Sequence, residues 1–213
     1  MANITFLYVV GIVAEILQDE SDSSAERGWT EETLLDYVNL TQRRIVSLAP
    51  QANPITAIMK LASGTKQSIP SGGIALINVI RNIDTNGITP GMAITPSLKN
   101  IIAFYDLNWS IATPVQQIYN YMPSTADKTI FYNYPPSDGT GYVQLEFSQV
   151  PPIINYEEDG DWENALIGVK EQYIDALING MLALAYKKDS DYPGNAERDA
   201  TYEAAFINAI TQA

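Results

Sequence analysis

The densest cluster of side chains able to do chemistry is Glu157-Glu-Asp-Gly-Asp-Trp-Glu163. Carboxylates crowded in this way are the groups that supply an acid and base pair for glycoside hydrolysis, or oxygen ligands for Ca²⁺. The run does not fit the ligand spacing of a helix–loop–helix Ca²⁺ site, and no partner carboxylate can be assigned to it. A solvated acidic linker accounts for it most simply. Asp189 and Asp191 stand beside Asn195 at a break in a helical pattern, where such side chains cap exposed amides. Ser71-Gly72-Gly73 lacks the Lys-Ser/Thr pair that completes a phosphate-binding loop.

The remaining catalytic vocabulary is short, because the chain contains no His and no Cys. That excludes a disulfide framework, a cysteine nucleophile, a His-based triad and a zinc site of the usual nitrogen and sulfur ligands. The expectation is a protein that is not an enzyme, with no catalytic, cofactor-binding or metal-ligating residues. Asp and Glu outnumber Lys and Arg by 25 to 12, for a net charge of −13. A surface that grips nucleic acid needs clustered Lys and Arg, and the longest basic cluster here is a pair, Arg43-Arg44 or Lys187-Lys188.

Aromatics are the other conspicuous group. Tyr119, Tyr121, Phe131, Tyr132, Tyr134, Tyr142 and Phe147 fall in one stretch. Three readings fit: the core of a half-buried sheet, a protein interface, or a stacking platform for sugars or bases.

The elements that must position these residues follow from periodicity. At 213 residues and 46% hydrophobic, the chain can bury a substantial core. Asn3 is placed to cap a helix over 4–17 with Leu7, Val10, Ala14 and Leu17 on one stripe and Phe6, Val9, Val13 and Ile16 on another. The apolar run 6–14 is too short for a bilayer and leads into Glu15, so a packed helix is expected rather than a membrane span. Thr30 caps a second helix over 31–48, with Leu34, Val38, Thr41, Ile45 and Leu48 inward and Glu32, Asp36, Asn39 and Arg43 outward; Pro50 stops it. Residues 50–164 switch to short β-prone runs between Gly, Pro, Asn and Ser. Strands are expected at 55–61 and 66–69, a strand or short helix at 74–81, and a tight turn at Asp84-Thr-Asn-Gly87. Thr95 and Pro96 should open a short helix through Phe104. An antiparallel meander is expected over 115–121, 129–134 and 142–150. Helices follow at 170–187, with Ala176, Gly180 and Ala183 permitting close approach, and at 196–210.

The expected fold is therefore α+β: a helical bundle formed by the N- and C-terminal helices, with an inserted antiparallel β-rich region. Its domains are a discontinuous helical one, 1–49 with 165–213, and the β-rich insertion 50–164.

The order of several motifs resembles a known family. Trp29-Thr-Glu-Glu-Thr-Leu-Leu-Asp-Tyr-Val-Asn-Leu-Thr-Gln-Arg-Arg-Ile-Val46, Gly64-Thr-Lys-Gln-Ser-Ile-Pro70, Val79-Ile-Arg-Asn82, Phe131-Tyr-Asn-Tyr-Pro-Pro136 and Ala185-Tyr-Lys-Lys-Asp-Ser-Asp-Tyr-Pro-Gly-Asn-Ala196 resemble the head-to-tail adaptor proteins of tailed bacteriophages, the connector or tail tubular protein A-like proteins. The resemblance implies a structural subunit of a homo-oligomeric ring, typically dodecameric. Such a ring docks on the portal protein and joins it to the tail nozzle or tail tube. DNA passes through the central channel without sequence-specific binding. The location implied is the head-tail junction of the virion, after synthesis in the bacterial host cytoplasm, with no membrane involved. The final helix offers Phe206, Ile207 and Ile210 as an expected partner-facing stripe. Two other functions stay open: a carbohydrate-binding or carbohydrate-degrading tail component using the Tyr-rich sheet and the 157–163 carboxylates, and a tail-completion or stopper protein.

Overall fold

A computed structural model describes residues 4–17, 29–84, 87–156, 160–188 and 194–213. Asn3, the turn-like segment 19–28, Glu157–Asp159 and the 189–193 break lie outside the described residues. The helices are α1 (Phe6–Leu17), α2 (Glu31–Leu48), α3 (Lys99–Tyr105), α4 (Ile174–Lys188) and α5 (Asn195–Gln212). The strands are β1 (Pro54–Lys60), β2 (Gly64–Ser68), β3 (Gly73–Ile83), β4 (Pro90–Ala93), β5 (Thr95–Pro96), β6 (Asn120–Pro123), β7 (Ile130–Ser137) and β8 (Tyr142–Gln149). The α+β class is borne out. Packing divides the chain into two compact units, Met1–Asn53 with Val150–Ala213, and Pro54–Gln149.

In the first unit, α2 begins and ends where its sequence signals stand. Thr30 accepts a hydrogen bond from the Thr33 amide at 3.2 Å, and Glu31 and Glu32 occupy the first turn, where the helix dipole favours acids. Leu34, Val38, Thr41 and Ile45 are buried as the 3.6-residue period requires. Two placements differ from expectation: Leu48 is exposed, and Asn39 is buried. Asn39 faces inward because it is fully used there: its Nδ2 donates to the Ile154 carbonyl at 2.8 Å, and its Oδ1 accepts from the Ile154 amide at 3.2 Å. One turn on, Gln42 accepts from the Gly168 amide at 2.7 Å. Buried polar side chains thus satisfy irregular backbone that returns past α2.

Helix α4 packs along α5 and against α2, and α1 touches both α2 and α4. Close approach is possible because Gly180 has no side chain: a Cβ there would stand 2.5 Å from Thr41 Cγ2 and 2.9 Å from the Phe206 ring. Phe6, Val9 and Val13 of α1 are buried, while Leu7 and Tyr8 are exposed. None of the described helices is long and apolar enough to cross a membrane.

The second unit holds two sheets, ordered β1-β8-β3-β4 and β2-β7-β6-β5. Pairing is antiparallel except for β5 with β6. Inward residues of both sheets share one core, including Val79, Val143, Leu145 and Phe147 from the first and Tyr121 and Phe131 from the second. The expected meander is corrected here. β6 pairs with β7, but β8 leaves for the other sheet and fits between β1 and β3. Its Val143, Leu145 and Phe147 alternate inward, which satisfies period-two burial equally well in either sheet. Thr95-Pro96 is likewise a short strand rather than a helix start, and α3 begins three residues later at Lys99. At the turn expected after β3, Thr85 and Asn86 lie outside the described residues, while Gly87 has φ +71° and donates to the Asp84 carbonyl at 2.8 Å.

Candidate docking surfaces

The stripe expected on the final helix is split by the structure. Phe206 is fully buried, seated against the gap left by Gly180. The Arg44 guanidinium lies 4.5 Å from its ring centroid, and the same side chain donates to Glu203 at 2.5 Å. α5 is thereby pinned to α2 by a ring, a cation over its face and an ion pair that is partly screened by solvent. Ile207 is exposed and Ile210 half-buried, so only these two offer apolar surface to another molecule.

Around the acidic run, Trp162 is buried and packs on Tyr156 at a centroid distance of 5.6 Å. Asp161 accepts from Asn164 Nδ2 at 2.6 Å. Among the described residues no group of three or more Asp or Glu side chains converges as a metal site. Ser71-Gly72-Gly73 forms a turn whose last glycine meets Ile69 and Phe147 at 2.7 Å from a Cβ position, so packing accounts for that glycine.

The aromatic run divides by parity across the second sheet. Tyr121 and Phe131 point into the core between the sheets and meet edge to face at 6.4 Å. Met122, Tyr132 and Tyr134 occupy the opposite face, where Ile102 and Trp109 cover them. Burial raises the Tyr121 hydroxyl above its usual pKa. Tyr134 is also raised, by desolvation and then by the nearby Asp106 carboxylate, to which it donates at 3.3 Å. Two loops repeat one Asp-x-Thr turn. The Thr129 hydroxyl and then its amide hold the Asp127 carboxyl below its ordinary value, and Thr140 does the same for Asp138.

A further surface lies in the second unit. Segment 98–111 covers the outer face of the second sheet with Ile102 and Trp109, while Leu98, Ile101, Phe104, Tyr105, Leu107 and Ile111 are exposed. Its sequence signal is the unbroken apolar run 101–105 in a short helix, set in a stretch nearly free of charge.

These features are packing devices and apolar contact faces, the make-up of a structural assembly protein. The chain belongs to the SU10 adaptor protein family, whose model matches residues 5–213, and the family is one of phage head-to-tail adaptors. The resemblance carried by the ordered motifs is borne out, and with it a structural role in the phage particle. No curated protein matches the chain.

Proposed function

We infer that this protein is a non-enzymatic ring subunit that docks on the portal at the head-tail junction and connects it to the tail nozzle or tail tube. The ring is dodecameric and leaves a central channel for DNA. The observation that carries this reading is the family match, which runs unbroken through both units. The charge supports it: a chain at −13 repels phosphate, which suits a conduit that DNA must traverse without sticking. In this reading α1, α2, α4 and α5 work together as a bundle, the helical domain 1–49 with 165–213, and the insertion 50–164 carries the sheets. Synthesis takes place in the bacterial host cytoplasm, and no membrane is involved.

Portal contact is assigned to the outward side of α5, through Ile207 and Ile210, with Phe206 beneath them as the anchor that holds the helix in place. The double change Ile207→Glu with Ile210→Glu should lower retention on purified portal rings at least about tenfold, the loss expected when apolar contacts become charged. The single change Ile207→Glu should lower retention as well while leaving the melting temperature within a few degrees of wild type, because Ile207 is exposed, and so separates lost docking from any loss of folding at the half-buried Ile210. Undiminished retention would place the portal contact elsewhere.

A further inference from the structure

We propose that the outward face of segment 98–111 is the surface by which one copy of this chain docks on a second copy, a step that rests on the ring reading above. Phe104, Tyr105, Leu107 and Ile111 are between 79% and 87% exposed, with Leu98 and Ile101 beside them. Six large exposed apolar side chains within one fourteen-residue segment mark a contact site, since leaving them in water forgoes the stabilisation that burial supplies.

The segment is held ready rather than loosely hung. Ile102 and Trp109 are buried against Met122, Tyr132 and Tyr134. The Lys99 ammonium lies 4.4 Å from the Tyr132 ring centroid and 5.5 Å from that of Trp109. Asp106 accepts from the Asn108 amide at 2.9 Å and from the Tyr134 hydroxyl at 3.3 Å. Phe104 and Tyr105 meet edge to face at 5.5 Å. Contacts that fix the surface in advance lower the ordering cost of binding.

Charge favours a second copy as the occupant. Two copies of a chain at −13 repel each other, so a face nearly free of net charge is the one they bring together at least cost. Between residues 85 and 126 the only charged side chains are Lys99 and Asp106, one of each sign, and both are engaged by the contacts just described. Segment 98–111 is thus an apolar, neutral face on an acidic protein. A ring further requires that it meet a different face of the neighbour, because a patch meeting itself closes a dimer.

The test places photoreactive benzoyl-phenylalanine at Phe104, an aromatic for an aromatic at an exposed site, in the full chain. It is irradiated both as purified protein and within phage particles. The expected product has twice the chain mass, with position 104 joined to a peptide of the second copy outside 98–111, and Leu107→Asp in the same chain should reduce it at least about tenfold. A product joining 98–111 to itself would uphold the second copy as occupant but overturn the ring. Cross-linking only to a different virion protein, or none in either sample, would overturn the assignment and leave the ring reading standing. Absence of the chain from the particles would instead overturn the adaptor reading, and the purified sample would still decide this one.

Discussion

Asn82 shows how a single side chain can hold a sheet together. It is buried, donates to the Met92 carbonyl at 3.1 Å and the Ile118 carbonyl at 2.8 Å, and accepts from the Ile118 amide at 3.0 Å. Replacing it with leucine keeps the volume but strands buried polar groups of Ile118, so Asn82→Leu should lower unfolding free energy by about 2–4 kcal/mol in urea titrations. A loss under about 0.5 kcal/mol, the range of an ordinary surface change, would contradict this bridging role. Asp127 illustrates the opposite case, an exposed carboxyl tuned locally. Its pKa is depressed first by the Thr129 hydroxyl, at 2.6 Å, and then by the Thr129 amide, at 2.9 Å. A depressed folded-state pKa means that the ionised form contributes stability above the unfolded pKa, and that this is lost as pH falls through the folded value. Thr129→Val removes the hydroxyl only, so the Asp127 titration midpoint followed by NMR should rise toward the ordinary value without reaching it; an unchanged midpoint would reject the assignment. The bridge was not legible beforehand. An Asn in a strand carries no sign of a partner some thirty-six residues away, whereas the Asp-x-Thr spacing of the turns stands in the sequence itself.

At the scale of elements, α2 was the most legible, because its cap, its acids and its apolar period agree on the same boundaries. What periodicity could not reveal was the use of its second side, where Asn39 and Gln42 hold the returning chain through non-local hydrogen bonds. The meander expected over 115–150 failed for a related reason. Alternation fixes which residues of β8 point inward, but not which strand lies beside it, and β1 supplies a partner along β8 from Tyr142 to Ser148. Helix α5 shows the same division between pattern and partner. Phe206, Ile207 and Ile210 lie close together in sequence, yet Phe206 fills the space opened by Gly180 and Ile207 faces solvent. Phe206→Ala should therefore cost about 3–5 kcal/mol, and Ile207→Ala less than about 1 kcal/mol. Hydrogen exchange should report lost protection across α5 in the first variant and not the second. Equal protection in the two would contradict the anchoring role.

For the molecule as a whole, the two units differ in how the chain builds them. Pro54–Gln149 is one continuous segment with its own core, and Pro54 pairs with Ser148, so the two ends of that segment are neighbours across a strand pair. Expressed alone, it should fold and unfold in one cooperative transition by circular dichroism with dispersed NMR signals; a non-cooperative melt would show that it depends on the rest of the chain. The helical unit is made from both ends of the sequence, 1–53 and 150–213. At this scale the order of motifs carried the family further than any catalytic cluster could have, because those motifs mark how elements pack. Surfaces were least legible: the exposed face of 98–111 depends on which side of α3 the sheet covers, and only the fold decides that. The central claim, an adaptor at the junction of head and tail, is tested most directly by cryo-electron microscopy of phage particles at a resolution that traces this chain. The expected result is a ring of copies between portal and tail, with Ile207 and Ile210 against the portal. Finding the chain in a tail fibre, elsewhere in the tail, or nowhere in the particle would contradict it.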